Sequence, residues 1–183
     1  MARLPYLDKK DLPPEFHDIL ERPINLNRGT AHSPLGRRAL MQVGNFIRYK
    51  MKLDPRIREM AIMEIGYIAR SDYEWSHHLK FGYDFGVSDD DIKAVIDFAE
   101  NRPTHLDELT TAALQAAREL TVDLELADAT FATLQRHLDN ERLTELVIAI
   151  SYYSAVVRIL AALKIDVEPD YQPYLDRYPL PKR

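Results

Sequence analysis

Residues 54–86 read DPRIREMAIMEIGYIARSDYEWSHHLKFGYDFG, and this stretch decides the fold. Asp54-Pro55 is a helix-start signal: a capping side chain, then a proline at the first helical position, where its missing N–H costs nothing. Ile57, Met60, Ala61, Ile65 and Ile68 then recur at helical spacing up to about Ala69. The short Arg70-Ser71 link leads into a second helix, Asp72 to Phe85, which stops at Gly86, a residue suited to the left-handed conformation that ends helices. A link this short makes the two helices an antiparallel hairpin.

The same signals continue on both sides. Ser33-Pro34 opens a helix to Tyr49 through Leu35, Ala39, Met41, Val43, Phe46 and Ile47. Ser88-Asp89-Asp90-Asp91 caps another through Ile92, Val95, Ile96 and Phe98. After Pro103, Leu106 to Leu120 and Leu126 to Leu138 repeat the amphipathic pattern, and Glu141 to Leu163 is a mostly apolar helix expected at the centre of the core. No strand or hairpin signal stands out, so the expectation is all-α. It places one helical domain at 31–165, an extended N-terminal arm at 1–30 with Pro5, Pro13, Pro14 and Pro23, and a Pro/Tyr-rich C-terminal tail at 166–183. The arms are read either as mobile termini or as wraps around a neighbouring subunit.

A chain of 183 residues fits one domain and buries enough surface to need neither metal nor disulfide. The net charge of −5 offers no basic field for phosphate backbones, so no nucleic-acid partner is expected. The first ten residues are charged and lack a signal peptide's apolar stretch, and no apolar run reads as long enough to span a bilayer, so a cytoplasmic protein with no membrane partner is expected. There is no cysteine, which removes disulfides, thiolate catalysis, Fe–S clusters and Cys-based zinc sites together.

Chemistry concentrates on the hairpin. Glu74 and His78 are four apart and share a helix face, and the hairpin brings Glu59 toward the same place. Two carboxylates around an imidazole suit general acid/base work near neutral pH. The plainer alternative is an intrahelical pair worth a few tenths of a kcal/mol. Trp75 and the Phe81/Phe85 pair serve as pocket walls or as core. A metal site on Glu59, Glu74, His77 and His78 is poorly served, because adjacent histidines point about 100° apart on a helix.

The run Leu53 to Ile62, then Tyr73-Glu74-Trp75-Ser76-His77-His78, then Gly86-Val87-Ser88-Asp89-Asp90-Asp91-Ile92 resembles the core of the carboxymuconolactone decarboxylase and alkylhydroperoxidase D-like family. Leu143 to Leu163, with Tyr152, Tyr153 and Arg158, is similar to the closing helix of its larger members, so the likeness spans about residues 31–167. The resemblance implies a single-domain helical bundle of the alkylhydroperoxidase D-like type, assembled as a homo-oligomer, a trimer or a hexamer of trimers. The peroxidase branch carries a Cys-x-x-Cys pair that would fall at Ser71 and Glu74, with a glutamate matching Glu59 and a histidine matching His78. The proton-handling half of that site is therefore present and its redox half is absent, which rules against thiol peroxidase activity.

The decarboxylase branch needs neither cysteine nor cofactor, and by resemblance it implies a small carboxylated lactone or organic acid as substrate. The expected catalytic residues are His78, Glu59 and Glu74, with Trp75, His77 and Arg58 around the substrate; Arg58 and Arg70 are the candidates for holding its carboxylate. Glu64 departs from the family pattern, which often has arginine there, and faces either pocket or solvent. The expected function is a cofactor-independent acid/base enzyme, a lyase or an isomerase on a small organic acid or lactone; the rival reading is a non-catalytic oligomeric or ligand-binding relative.

Overall fold

The protein, described by a computed structural model over residues 1–181, is built around a helix that has no exposed face. That helix, α3 (Pro55–Ile68), is buried at every position from Ile57 to Tyr67. It starts where Asp54 accepts from the Ile57 N–H at 3.0 Å. A helix apolar all round belongs in a core, yet α3 also carries Arg58, Glu59 and Glu64 at 2% exposure or less. Each of those charges needs a partner, and their partners organise the rest of the molecule.

Around α3 pack α4 (Asp72–Asp84), α5 (Asp89–Ala99), α6 (Glu108–Val122) and α8 (Asn140–Leu163), with α7 (Asp128–His137) against α6. The α3–α4 hairpin forms as its sequence predicts. Ser71 caps α4 by accepting from the Glu74 N–H, and Arg70 takes the left-handed turn conformation at φ 49°. Gly66 permits the closeness: a Cβ there would stand 3.0 Å from the Trp75 backbone nitrogen. Gly86 ends α4 at φ 90°, and the reciprocal Ser88/Asp91 capping box opens α5. Outside this core lies α2 (Pro34–Tyr49), which packs on α8 and on the N-terminal segment.

Three expectations are corrected. The centre of the core is α3, and α8 keeps an exposed stripe of Thr144, Ile148, Ser151 and Ala155. By length and composition α8 is apolar enough to cross a membrane, against the sequence reading; here it packs on α3 and α6. The terminal segments are not extended arms. Residues 14–20 form a 3-10 turn that buries Ile19 and Leu20, and α1 (Asn25–Thr30) follows. At the other end a turn at 169–171 leads into α9 (Gln172–Arg177), which lies on α4 with Tyr171 and Tyr178 buried. The two ends also hold each other: Tyr6 Oη donates to Asp166 Oδ2 at 3.0 Å and Asn25 N donates to Glu168 Oε1 at 2.5 Å. Lys182 and Arg183, also assigned to the tail, lie outside the described residues.

Candidate active site

The hairpin places Glu59 of α3 beside the C-terminal half of α4. Glu59 Oε2 sits 2.6 Å from His78 Nδ1, and on the other side of the ring His78 Nε2 lies 2.9 Å from Glu74 Oε1. All three side chains are 2–3% exposed. Glu74 Oε1 is itself buried, with the His78 ring as its charged neighbour. Burial pushes the His78 imidazole toward neutrality, but the charges of Glu59 and Glu74 outweigh it and hold its pKa at about 9. Burial likewise pushes Glu59 up, and His78 and then Arg58 more than reverse it, leaving its carboxyl below the ordinary value. The surroundings therefore favour an imidazolium beside the Glu59 carboxylate.

His78 and Glu74 face a cavity of about 310 Å³ between α2, α4, α8 and the N-terminal segment. Tyr73, His77, Phe81, Tyr152 and Tyr153 supply aromatic walls, and the Tyr153 ring meets His78 edge-on at 4.7 Å. Burial raises the Tyr153 phenol above its usual value, so its hydroxyl stays protonated. The stripe Arg37, Met41, Gly44, Arg48 lines the opposite wall at spacings of four, three and four, one face of α2. Arg22 from the N-terminal segment joins it, on a loop fixed by Asn27, whose Nδ2 donates to the Arg22 carbonyl at 2.7 Å.

Of the six residues expected at the site, His78, Glu59 and Glu74 come together as predicted. Glu59 stands behind the histidine, while His78 and Glu74 line the cavity. His77 also lines it, but as a clamped wall. Its ring is stacked between Tyr73 at 3.9 Å and Tyr171 at 3.5 Å, and Nδ1 donates to the Tyr73 carbonyl at 2.8 Å. Burial depresses its pKa, although Glu168 Oε2 stands 3.2 Å from Nε2 and pulls the other way.

Trp75 and Arg58 are corrections. Trp75 is fully buried among Met60, Met63, Leu79 and Ile92, its indole donating to the Tyr178 carbonyl at 2.7 Å. It packs into that second core cluster and does not line the cavity. Arg58 donates to Glu59 Oε1 at 2.9 and 3.0 Å and to the Ile47 carbonyl at 3.1 Å, so it holds Glu59 and does not line this cavity. Arg70 is exposed in the hairpin turn. Glu64 faces neither pocket nor solvent: it is fully buried, 3.0 Å from Arg118, with Oε2 unpartnered, and burial lifts its pKa to about 7 against the pull of that arginine.

Arg22, Arg37 and Arg48 line the cavity, and Glu168 and Tyr171 hold His77 in its wall; none of the five is signalled in the sequence reading. The α2 stripe was accessible in principle through its spacing. Glu168 and Tyr171 reach the site only through contacts spanning about half the chain or more, for which no local signal exists.

Residues 34–119 match the model of the Carboxymuconolactone decarboxylase family. No curated protein matches the chain. The structure is similar to that of an uncharacterized peroxidase-related protein with an alkylhydroperoxidase AhpD core from Ralstonia eutropha JMP134, with a TM-score of 0.78 at 16% identity over 95% of each chain. It is also similar to the debrominase Bmp8, solved as a variant with alanine for cysteine in complex with 2,3,4-tribromopyrrole, with a TM-score of 0.79 at 19% identity over 97% of this chain and 99% of that one. An uncharacterized peroxidase-related protein from Silicibacter sp. TM1040 matches with a TM-score of 0.74 at 17% identity over 92% of each chain. These identities carry a likeness of fold.

Proposed function

We propose that this cysteine-less chain, similar over residues 34–119 to the carboxymuconolactone decarboxylase family, is a cofactor-independent acid/base enzyme, a lyase of the decarboxylase type acting on a small organic acid or lactone. One observation carries the reading: a buried imidazole held between two carboxylates and facing a cavity, surroundings that favour its protonated form. A resting imidazolium is poised to give a proton before it takes one. Decarboxylation asks for that order. The bond to the carboxylate breaks, carbon dioxide leaves, and the electron pair left on carbon, delocalised into an adjacent carbonyl, receives the proton of His78. An isomerase that first abstracts a proton needs the neutral base, which this cluster disfavours below about pH 9.

In this scheme Glu74 shares the proton at the cavity surface, Glu59 keeps the imidazole charged and oriented, and Arg58 anchors Glu59. The Bmp8 neighbour supports a small planar ring as a ligand for this fold; the cysteine replaced in that variant has no counterpart here. The test is a panel of carboxylated lactones and β-keto acids in deuterated water, with carbon dioxide release and deuterium incorporation followed by NMR. Turnover of at least one compound, abolished in His78→Gln and reduced in Glu74→Gln, is the expected result. No release from any compound, or release indifferent to His78→Gln, leaves the non-catalytic binding role in its place.

A further inference from the structure

Three arginines converge on the cavity, and none of them forms an ion pair among the described residues. Arg37 is 7% exposed, its Nε is unpartnered, and its guanidinium forms no ion pair among the described residues. The other cations acting on it are Arg22 and Arg48, and they add to the effect of burial in pulling its pKa down, while Tyr152 and Tyr73 pull the other way. Arg22 and Arg48 each hold their guanidinium 4.6 Å from the centre of the same Phe81 ring, which fixes two like charges around one wall. Arg22 has in addition only a 3.4 Å contact to the Tyr171 hydroxyl.

The acids nearby are committed or peripheral. Asp18 is bound by Arg38 at 2.6 and 3.0 Å, Glu74 is beside His78, and Glu21 is exposed at the rim. Burying the Arg37 guanidinium without a counterion is costly, and with Arg22 and Arg48 half-buried beside it the trio suits an anion that binds in the cavity.

We propose that Arg22, Arg37 and Arg48 form an oxyanion subsite that seats a carboxylate of the substrate, setting its unsaturated body between Tyr73, Phe81 and Tyr152 with the reacting carbon toward Glu74 and His78. The class of ligand is a small organic anion with a planar, conjugated body. About 310 Å³ lies at the small end of ligand cavities. Gly44 keeps the floor of this subsite open, since a Cβ there would stand 3.1 Å from the Tyr152 hydroxyl. The assignment deepens the acid/base reading of the same cavity, and binding alone tests it.

The probes are benzoate, its neutral isostere benzamide, and inorganic phosphate, titrated calorimetrically against wild type, Arg37→Met, Arg48→Met and His78→Gln. Saturable benzoate binding, at least tenfold weaker for benzamide and at least tenfold weaker in either arginine variant, supports the subsite, as does its retention in His78→Gln. A carboxylate site that survives while no compound releases carbon dioxide removes the lyase reading and leaves the subsite standing. Equal affinity for benzoate and benzamide, or wild-type affinity in Arg37→Met, overturns it. Phosphate binding more tightly than benzoate overturns the carboxylate assignment in favour of a phosphorylated ligand. Thermal melting guards the variants: a cation without a structural partner predicts that Arg37→Met melts at or above wild type, and a marked drop makes Arg37 structural and overturns the proposal.

Discussion

Replacing Glu59 by glutamine removes one charge from a site where two cations depend on it. The carboxylate accepts from Arg58 at 2.9 and 3.0 Å through Oε1 and from His78 at 2.6 Å through Oε2, all at 2–3% exposure. Breaking a buried pair from one side costs about 3–5 kcal/mol because the remaining charge stays buried. For a chain of this size that is a fall in melting temperature of roughly 6–20 °C. The His78 pKa, held at about 9 by Glu59 and Glu74 together, moves down toward the ordinary imidazole value with Glu74 alone left to support it.

The sign of the pH dependence follows from both shifts. His78 has a folded pKa above its unfolded value, so its contribution is fully present below about pH 6.5 and is lost as pH rises through about 9. Glu59 has a depressed folded pKa, so its contribution is present above about pH 4.5 and is lost as pH falls through the folded value. The stability gap between wild type and Glu59→Gln is therefore widest between about pH 4.5 and 6.5 and narrows toward pH 9. Denaturant melts across pH 4–10, with the His78 titration followed by NMR, measure both effects. A gap that stays flat from pH 5 to 10, or a His78 pKa unmoved by the substitution, would falsify the coupled cluster and with it the acid that the proposed chemistry needs.

Glu64→Gln runs the opposite way. Its folded pKa of about 7 lies above the ordinary carboxyl value, so ionising it costs stability as pH rises from about 4.5 to 7, by roughly 3 kcal/mol at most; the variant should gain on wild type across that window, and equal pH slopes in calorimetric melts refute the assignment. Tyr171→Ala removes the ring stacked 3.5 Å from His77 and should cost about 3 kcal/mol while opening residues 166–178 to protease; unchanged cleavage there would mean the tail is not anchored by this ring. Gly66→Ala forces a Cβ against the Trp75 backbone and should cost about 1–3 kcal/mol, seen as a lower denaturant midpoint with an unchanged m-value.

What the sequence disclosed about this fold is what short-range chemistry can disclose. Asp54-Pro55, Ser71, Gly86 and the Ser88/Asp91 box are local statements about backbone ends, and each end stands where it was read. The meeting of Glu59 with His78 was legible because a two-residue link leaves the hairpin only one way to close. Trp75 was misplaced because an aromatic next to polar residues reads the same whether it faces a pocket or a second core cluster, and only the packing of Met60, Met63 and Ile92 decides. Apolar periodicity along α2 does not disclose its arginines, because the lining stripe shares only Met41 with that pattern. The terminal segments were taken for arms because prolines suppress regular helix signals, while Asn25, Tyr73 and Glu168 tie them down across separations of 95 and 143 residues.

The adjacent histidines show why residue type alone does not set chemistry. His77 and His78 lie in the same helix turn with burial within a percent of each other, yet their protonation diverges. His77 sits between two neutral rings, and burial prevails; His78 sits between two carboxylates, and charge prevails. By resemblance, the peroxidases place thiols at the positions of Ser71 and Glu74. Here Ser71 spends its hydroxyl on capping α4, and Glu74 turns the second thiol position into a carboxylate 2.9 Å from the histidine. A thiol there would be activated by the imidazole for redox chemistry; a carboxylate there keeps the imidazole charged. The same backbone position thus holds a carboxylate beside the imidazole where, by resemblance, the peroxidases hold a thiol, and on the proposed reading the arginines across the cavity supply the electrostatic reason for an anion to be present when the proton of His78 is given.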